Sequence, residues 1–225
     1  MDPEAAAERS GLLYRTMRVE FWYVRHGQTL FNVLGRLQGW CDSPLTEKGI
    51  ADAEKAEQAL KGIPFDKAWS SPSPRAVKTA RIILRRHNAV LKTHEDLKEF
   101  DYGLLDGTKT SELPEKDLKI RRIFGSWNDV QGEDSKTISL RIHRCFDEII
   151  RRCRNGDKVL IVSHGTYALF LMRDLLGIDL NEYRNARTDT ESKLFPNGGI
   201  MKFVYEDGEW RMDTAPCRPE QYGEN

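Results

Sequence analysis

The sequence predicts an α/β fold, a three-layer sandwich in which a mostly parallel central sheet is flanked by helices. Two apolar runs, residues 19–24 and 158–162, are rich in β-branched and aromatic side chains, which is typical of buried strands. Each run leads into a His-Gly pair, and the second pair is followed at once by a helical pattern. Strand-like and helical segments alternate along the chain, which favours right-handed crossovers and a sheet covered on both faces.

The first half of the chain alternates strands with helices. After the first strand, residues 29–40 have no clean period and are predicted to form a loop over the strand end. Thr46 is predicted to be the N-cap of a helix that Gly62 stops. The remaining elements of this half are a strand over 65–70, a helix from the following Ser-Pro pairs to about Arg86, and a strand over 90–97.

The second half begins with an excursion of mixed charge, residues 104–136, which we expect to cap a crevice at the sheet edge. Residues 137–154 carry apolar side chains at helical spacing and end at Asn-Gly. The last elements are a strand over 158–163, a helix over 166–176, a polar loop, and a hairpin of 200–205 with 210–212 that turns at Asp-Gly.

Composition indicates one domain, in which any affinity for anions must be local. Basic and acidic residues both number 35, so no overall field attracts nucleic acid or an acidic membrane. No stretch is long and apolar enough to span a membrane, and the start of the chain lacks the apolar middle of a signal peptide. We expect a flexible extension over 1–17, the domain over 18–213 and a tail over 214–225. Whether the protein is a monomer or a homodimer stays open.

The four cysteines favour a reduced protein. They form no C-x-x-C pair, and Cys145 and Cys153 would share one helix at about 12 Å, too far apart to bridge each other. A reduced, cytoplasmic protein is the expectation from this pattern.

The two His-Gly pairs indicate a shared crevice. In open α/β sheets, ligands bind outside the carboxyl ends of the strands, so His26 and His164 are predicted to face each other there. Arg25 precedes the first histidine, and Arg75 lies in the first turn of a helix that follows a strand. Guanidinium groups and a helix N-terminus at one edge predict a site for an anion.

This set of side chains fits phosphoryl transfer. Neutral imidazole is a competent nucleophile, and a phosphohistidine would split one hard displacement into two easier steps. The arginines and the second histidine would supply the positive charge, and Glu99, at a strand end beside an aromatic, is the candidate general acid. No metal or other cofactor is needed in this scheme. A zinc site on the two histidines is the alternative, but it has no evident third ligand.

A set of motifs, in order over about residues 18–205, resembles the histidine phosphatase superfamily and, within it, the phosphoglycerate mutase-like branch. The motifs are Arg25-His26-Gly27, Asn32, Pro44-Leu45-Thr46-Glu47-Lys48-Gly49, Ser70-Ser71-Pro72 with Arg75, Glu99 before Tyr102-Gly103, Gly132-Glu133-Asp134-Ser135, and Ser163-His164-Gly165.

The resemblance implies a role for each matching position. His26 would be the phosphorylated nucleophile and Glu99 the proton donor. Arg25, Arg75 and His164 would hold the phosphate. Asn32 would assist in holding the phosphate, and the backbone N–H of Gly165 would point at it. Gln38, Gly39 and Tyr102 would lie near the substrate.

Within this branch the sequence favours a phosphatase over a mutase. Mutases of the family typically have an arginine directly after the catalytic glutamate, where this chain has Phe100. Two other features favour the mutase instead. Arg121-Arg122 would be the basic pair of a mutase, and Lys109 would be a ligand of the second phosphate. A third alternative is a catalytically silent phosphate-binding module.

By itself, the stretch 132–135 is interpreted as the turn that begins a helix, and Tyr23 as a core residue.

Overall fold

The computed structural model describes residues 17–113, 126–186 and 194–223. Its strands are β1 (Arg18–Arg25), β2 (Lys67–Ser70), β3 (Leu91–Thr93), β4 (Lys158–Ser163), β5 (Ile200–Glu206) and β6 (Glu209–Cys217). Its helices are α1 (Leu30–Val33), α2 (Glu47–Leu60), α3 (Pro74–Ile83), α4 (Ser135–Arg151), α5 (Gly165–Asp174) and α6 (Leu180–Ala186).

The strands form one six-stranded sheet in the order β3-β2-β4-β1-β5-β6. The first four positions are parallel, whereas β5 and β6 add an antiparallel edge. In the register of β1 with β4, Arg25 lies opposite Ser163. The two strands therefore end side by side, and the residues that follow them, His26 and His164, emerge at one edge of the sheet.

Helices cover both faces of the sheet, which confirms the predicted three-layer α/β class. On one face, α4 and α5 pack against Phe21, Ile161 and Phe203 in the larger hydrophobic cluster. On the other face, α2 and α3 pack against Val24 and Val162 in a smaller one. Burial of these apolar side chains is the main force that holds the layers together.

Local signals set several helix boundaries. The Thr46 side chain accepts a hydrogen bond from the Gly49 N–H and begins α2, as predicted. Asp134 caps α4 in the same way, through the Thr137 N–H. The stretch 132–135 therefore does begin a helix.

Four predicted elements differ from the structure. Residues 29–40 are not entirely a loop, because Thr29 and Asn32 form a capping box around the single turn of α1. The predicted strand 90–97 is only three residues long, since residues 95–97 form a 3₁₀ turn. The predicted polar loop contains α6. The second hairpin strand runs to Cys217, beyond its predicted end at residue 212.

The C-terminal residues that the structure describes pack onto the domain. The Trp22 indole N–H donates to the Tyr222 hydroxyl at 2.5 Å, and Lys55 pairs with Glu220 at 2.6 Å. All four cysteines are free. Across the described parts of the chain, no helix is long and apolar enough to cross a bilayer.

Candidate active site

Two histidine rings face each other at the carboxyl edge of the sheet. The ring centroids of His26 and His164 lie 5.2 Å apart, with 67° between the ring planes. Their side chains are 3% and 0% exposed, respectively. The predicted meeting of the two strand–His-Gly units is therefore present in the structure.

The chain turns tightly after His26. The His26 Nδ1 lies 2.8 Å from the carbonyl oxygen of Gly27, and a carbonyl can only accept a hydrogen bond. The ring therefore donates its Nδ1 proton, so that in the neutral form the lone pair lies on Nε2. A Cβ at position 27 would lie 2.0 Å from the Gly49 carbonyl oxygen, which explains the glycine there.

His164 is held by one group on β1 and by another directly after β2. The Tyr23 hydroxyl donates to the His164 carbonyl at 2.7 Å and accepts from its N–H at 3.0 Å. Tyr23 is therefore more than the core residue that the sequence indicated. The Ser71 hydroxyl lies 2.8 Å from Nε2 of the ring. Burial, followed by the positive charge of Arg75, holds the pKa of His164 well below its usual value, so the ring is neutral near pH 7.

Two guanidinium groups, the buried one of Arg75 and the half-buried one of Arg25, lie beside the histidines. Arg75 is 1% exposed and donates to the carbonyls of Gly39 and Cys41 and to Asp42. Arg25 donates to the Phe195 carbonyl at 2.6 Å. Within the described residues, three buried nitrogens of the site have no hydrogen-bond partner, namely Nε of Arg25, Nε of Arg75 and Nδ1 of His164.

Glu99 lies at the N-terminus of α5. Its Oε1 accepts the backbone N–H groups of Phe100 (2.9 Å) and Tyr167 (2.7 Å), and its Oε2 accepts that of Thr166 (3.0 Å). Burial raises the pKa of Glu99, whereas the three N–H groups and the charge of Arg75 oppose the rise. The net pKa is above the ordinary value for glutamate, which is the direction that suits a general acid.

A crevice of about 600 Å³ opens in front of these groups. Seven of the ten residues predicted for the site line it: Arg25, His26, Asn32, Gln38, Glu99, Tyr102 and Gly165. Gly39 does not, because it packs behind the wall, where a Cβ would lie 2.4 Å from the Phe100 carbonyl oxygen. Arg75 and His164 are not among the lining residues. The wall also includes apolar side chains (Leu37, Leu169, Leu194, Phe195) and two further arginines, Arg36 and Arg184.

Several lining residues are fixed by local hydrogen bonds. Gln38 accepts from the Thr29 hydroxyl at 2.6 Å and donates to the Ser43 hydroxyl at 2.9 Å. The Tyr102 hydroxyl lies 2.8 Å from the Thr166 hydroxyl. These bonds hold the crevice wall in place before any ligand binds.

Sequence reasoning missed two groups beside the site. The Asn197 amide donates to the His26 carbonyl and to Asn32, both at 3.1 Å. The Asp106 carboxylate accepts the N–H groups of Gly39 and Cys41, which shapes the loop that contacts Arg75. The Asn-Gly-Gly triplet at residues 197–199 was a signal for the first group, but nothing local in the sequence indicated the second.

Arg121 and Arg122 lie outside the described residues. Lys109 is half-buried and pairs with Glu112 at 3.5 Å, and it does not line the crevice. Among the residues that the structure describes, no group of three or more histidine, cysteine or acidic side chains is arranged to hold a metal ion.

The carboxyl edge of the parallel strands carries a histidine pair, two arginines and a buried glutamate. This arrangement defines an α/β protein with an anion-binding site. The comparison with known families agrees. The chain belongs to the histidine phosphatase superfamily (branch 1), whose family description matches residues 21–217.

Known relatives include both mutases and phosphatases. The chain is 29% identical over 196 residues to "Probable phosphoglycerate mutase GpmB" of Yersinia pestis (strain Pestoides F), covering 85% of this chain and 87% of the relative. A crystal structure of phosphoglycerate mutase from Bacillus anthracis str. Sterne superposes with a TM-score of 0.75 at 29% identity, covering 89% and 94% of the two chains. A "putative alpha-ribazole-5'-P phosphatase" from Escherichia coli str. K-12 substr. MG1655 gives a TM-score of 0.71 at 25% identity, covering 90% and 97%.

Proposed function

We propose that the protein is a phosphomonoesterase that hydrolyses small phosphate esters through a phosphohistidine on His26. The observation that carries this proposal is the set of three buried, unpartnered nitrogens on Arg25, Arg75 and His164. Buried nitrogens without a partner are costly, and phosphoryl oxygens are the acceptors that would satisfy them. When the Ser71 hydroxyl donates to Nε2 of His164, the neutral ring carries its proton on Nδ1 and can donate it.

The reaction takes place in two displacements. First, Nε2 of His26 forms a bond to phosphorus as the bond to the ester oxygen breaks, and the Glu99 carboxyl group gives its proton to that leaving oxygen. Then water attacks the phosphorus, Glu99 takes a proton from the water, and the P–N bond breaks to release phosphate. Arg25, Arg75 and His164 stabilise the charge on the transferring group. Asn32 and the backbone N–H of Gly165 are further phosphate contacts in this proposal.

Phe100 favours a phosphatase over a mutase. It follows the proposed acid directly, is 1% exposed and stacks on Phe170 with ring centroids 5.6 Å apart. The position therefore offers no cation for a second acidic group of the substrate. Gln38 and Tyr102 would contact the remainder of the ester.

The alternative is a phosphoglycerate mutase that needs a bisphosphate primer. It is favoured by the names of the Yersinia and Bacillus anthracis relatives and by Arg36 and Arg184 in the crevice wall. Two arginines beyond the phosphate site would suit a substrate with a second negative group.

Phosphorus NMR on 3-phosphoglycerate, with and without a trace of 2,3-bisphosphoglycerate, separates these functions. We expect growth of inorganic phosphate, with no dependence on the primer, and its loss in the His26→Ala variant. Primer-dependent formation of 2-phosphoglycerate would instead establish the mutase. If neither signal changes, a panel of sugar, nucleotide and aryl phosphates follows. No turnover of any ester, together with binding of inorganic phosphate, would identify a silent binding module.

A further inference from the structure

A single buried side chain holds the backbone of the segment that carries Glu99. The guanidinium of Arg141, on α4, is 6% exposed and donates to three carbonyl oxygens of this segment. The distances are 2.9 Å to Asp96, 2.6 Å to Lys98 and 2.9 Å to Glu99 itself. The segment lies outside the sheet, because β3 ends at Thr93. Arg141 therefore supplies partners that a strand would otherwise provide.

Glu133 binds both Arg141 and the backbone that follows Glu99. Its two carboxylate oxygens accept Nε and Nη2 of Arg141, each at 2.7 Å. The same carboxylate accepts the Asp101 N–H at 3.0 Å, and the Glu133 N–H donates to the Asp101 carbonyl at 2.9 Å. The pair thus binds the backbone immediately before and after Glu99.

We propose that Arg141 and Glu133 are positioning residues for the general acid, which fix the backbone of Glu99 so that its carboxyl group faces the crevice. This inference rests on the proposed function, in which Glu99 is the proton donor. Neither residue lines the crevice, so each acts only through Glu99.

Stability alone is a poor explanation for this pair. Taking a guanidinium and a carboxylate out of water is costly, and apolar residues of similar volume often stabilise a fold equally well. An apolar pair, however, cannot donate to three carbonyls and accept one N–H. The directed hydrogen bonds are what the ion pair adds, and within the described residues the bonds that these two side chains make to the backbone fall on residues 96–101.

The pairing also controls the charge near Glu99. An unpaired arginine beside a carboxyl group favours the carboxylate and lowers its pKa, which would weaken a general acid. Glu133 balances the charge of Arg141, so the two side chains hold the backbone as a pair without net charge. The other charged or titratable groups that face Glu99 are Arg25 and Tyr23 of β1, Arg75 of α3, and Tyr102 of its own loop.

The first test measures the dependence on the leaving group. A general acid matters for an alkyl phosphate, whose leaving oxygen needs a proton, and little for an activated ester such as p-nitrophenyl phosphate. We expect Arg141→Lys to lower kcat/KM, which reports the first displacement, roughly 10- to 100-fold for an alkyl phosphate and less than about twofold for p-nitrophenyl phosphate.

Arg144→Ala is the matched control. Arg144 lies on the same helix and pairs with the side chain of Asp96 at 2.5 Å, but on the protein surface. Breaking this pair disturbs the same segment without releasing the Glu99 carbonyl, so kcat/KM for both esters should stay as in the wild type. An equal loss for both esters in Arg141→Lys, or the same split in Arg144→Ala, would overturn the proposal.

A double-mutant cycle separates this proposal from the proposed function. In a Glu99→Gln background, Arg141→Lys should cause no further loss on the alkyl phosphate, because the group it positions is already absent. Additive losses would show a general structural effect and would overturn the positioning role. If Glu99→Gln alone lowers kcat/KM equally for both esters, Glu99 is not the acid, and the proposed mechanism fails first.

The second test uses Glu133→Gln, which retains the shape of the side chain but removes its charge. Arg141 then faces Glu99 unbalanced, which lowers the pKa of the acid. Because the acid must be protonated in the first displacement, the alkaline fall of kcat/KM on the alkyl phosphate should move to lower pH by roughly one unit. An unchanged alkaline limb in a folded Glu133→Gln variant would contradict the charge-balancing role.

Discussion

The hydroxyl of Tyr23 offers a direct measure of what holds His164 in place. In Tyr23→Phe, the buried His164 N–H loses its acceptor, which costs about 1–3 kcal/mol. The bond to the His164 carbonyl is also lost, worth about 0.5–1.5 kcal/mol, although the Ala168 N–H still donates to that carbonyl at 3.2 Å. Tyr23 is fully buried, so water cannot replace the hydroxyl. The free energy of unfolding should therefore fall by about 2–4 kcal/mol.

Urea denaturation followed by circular dichroism measures this loss. With a slope of about 2 kcal/mol per molar urea, the midpoint should fall by roughly 1–2 M. Tyr205→Phe is the control, because Tyr205 is half-buried on β5 and its hydroxyl makes no hydrogen bond within the described residues. A midpoint shift in Tyr23→Phe as small as that of the control would refute the idea that this hydroxyl anchors His164.

Two further predictions concern phosphate binding and pH. In Gly165→Ala the new Cβ would lie 2.9 Å from Cζ and Nε of Arg25, so the guanidinium must move. Isothermal titration should then show that inorganic phosphate binds roughly 10- to 100-fold more weakly, as expected for the loss of a hydrogen bond to a charged group. Gly62→Ala, with no atom within 4 Å of its Cβ, should leave that affinity unchanged. The second prediction follows from the lowered pKa of His164. As the pH falls, the unfolded chain takes up a proton on His164 before the folded chain does. The stability that neutral His164 contributes is therefore complete above pH about 6.5 and falls by up to about 1.4 kcal/mol per pH unit below it. The slope of unfolding free energy between pH 6.5 and 5 should decrease in His164→Gln, and an identical slope would contradict the assignment.

The sequence by itself determined the elements that depend on neighbouring residues. The apolar runs of β1 and β4 indicate strands because of their side chains, and Thr46 indicates a helix start because its hydroxyl reaches an N–H three residues on. His26 and His164 follow such strands directly, so the rule for parallel sheets was enough to bring them together. α1 was missed because the N3 residue of its capping box is Asn32, not the usual glutamate or glutamine.

Only the tertiary structure decided which distant groups meet. Tyr23 bonds the backbone of a residue 141 positions away, and Arg141 reaches the carbonyls of the Glu99 segment from more than 40 positions away. No periodicity or spacing indicates such pairs, because they depend on strand order and on how the helices pack over the sheet. Glu133, by itself, looked like part of a helix start, and its role became visible only when the fold placed Arg141 beside it. Local patterns fixed where the reactive side chains stand along the chain, whereas long-range packing fixed the hydrogen bonds that orient them.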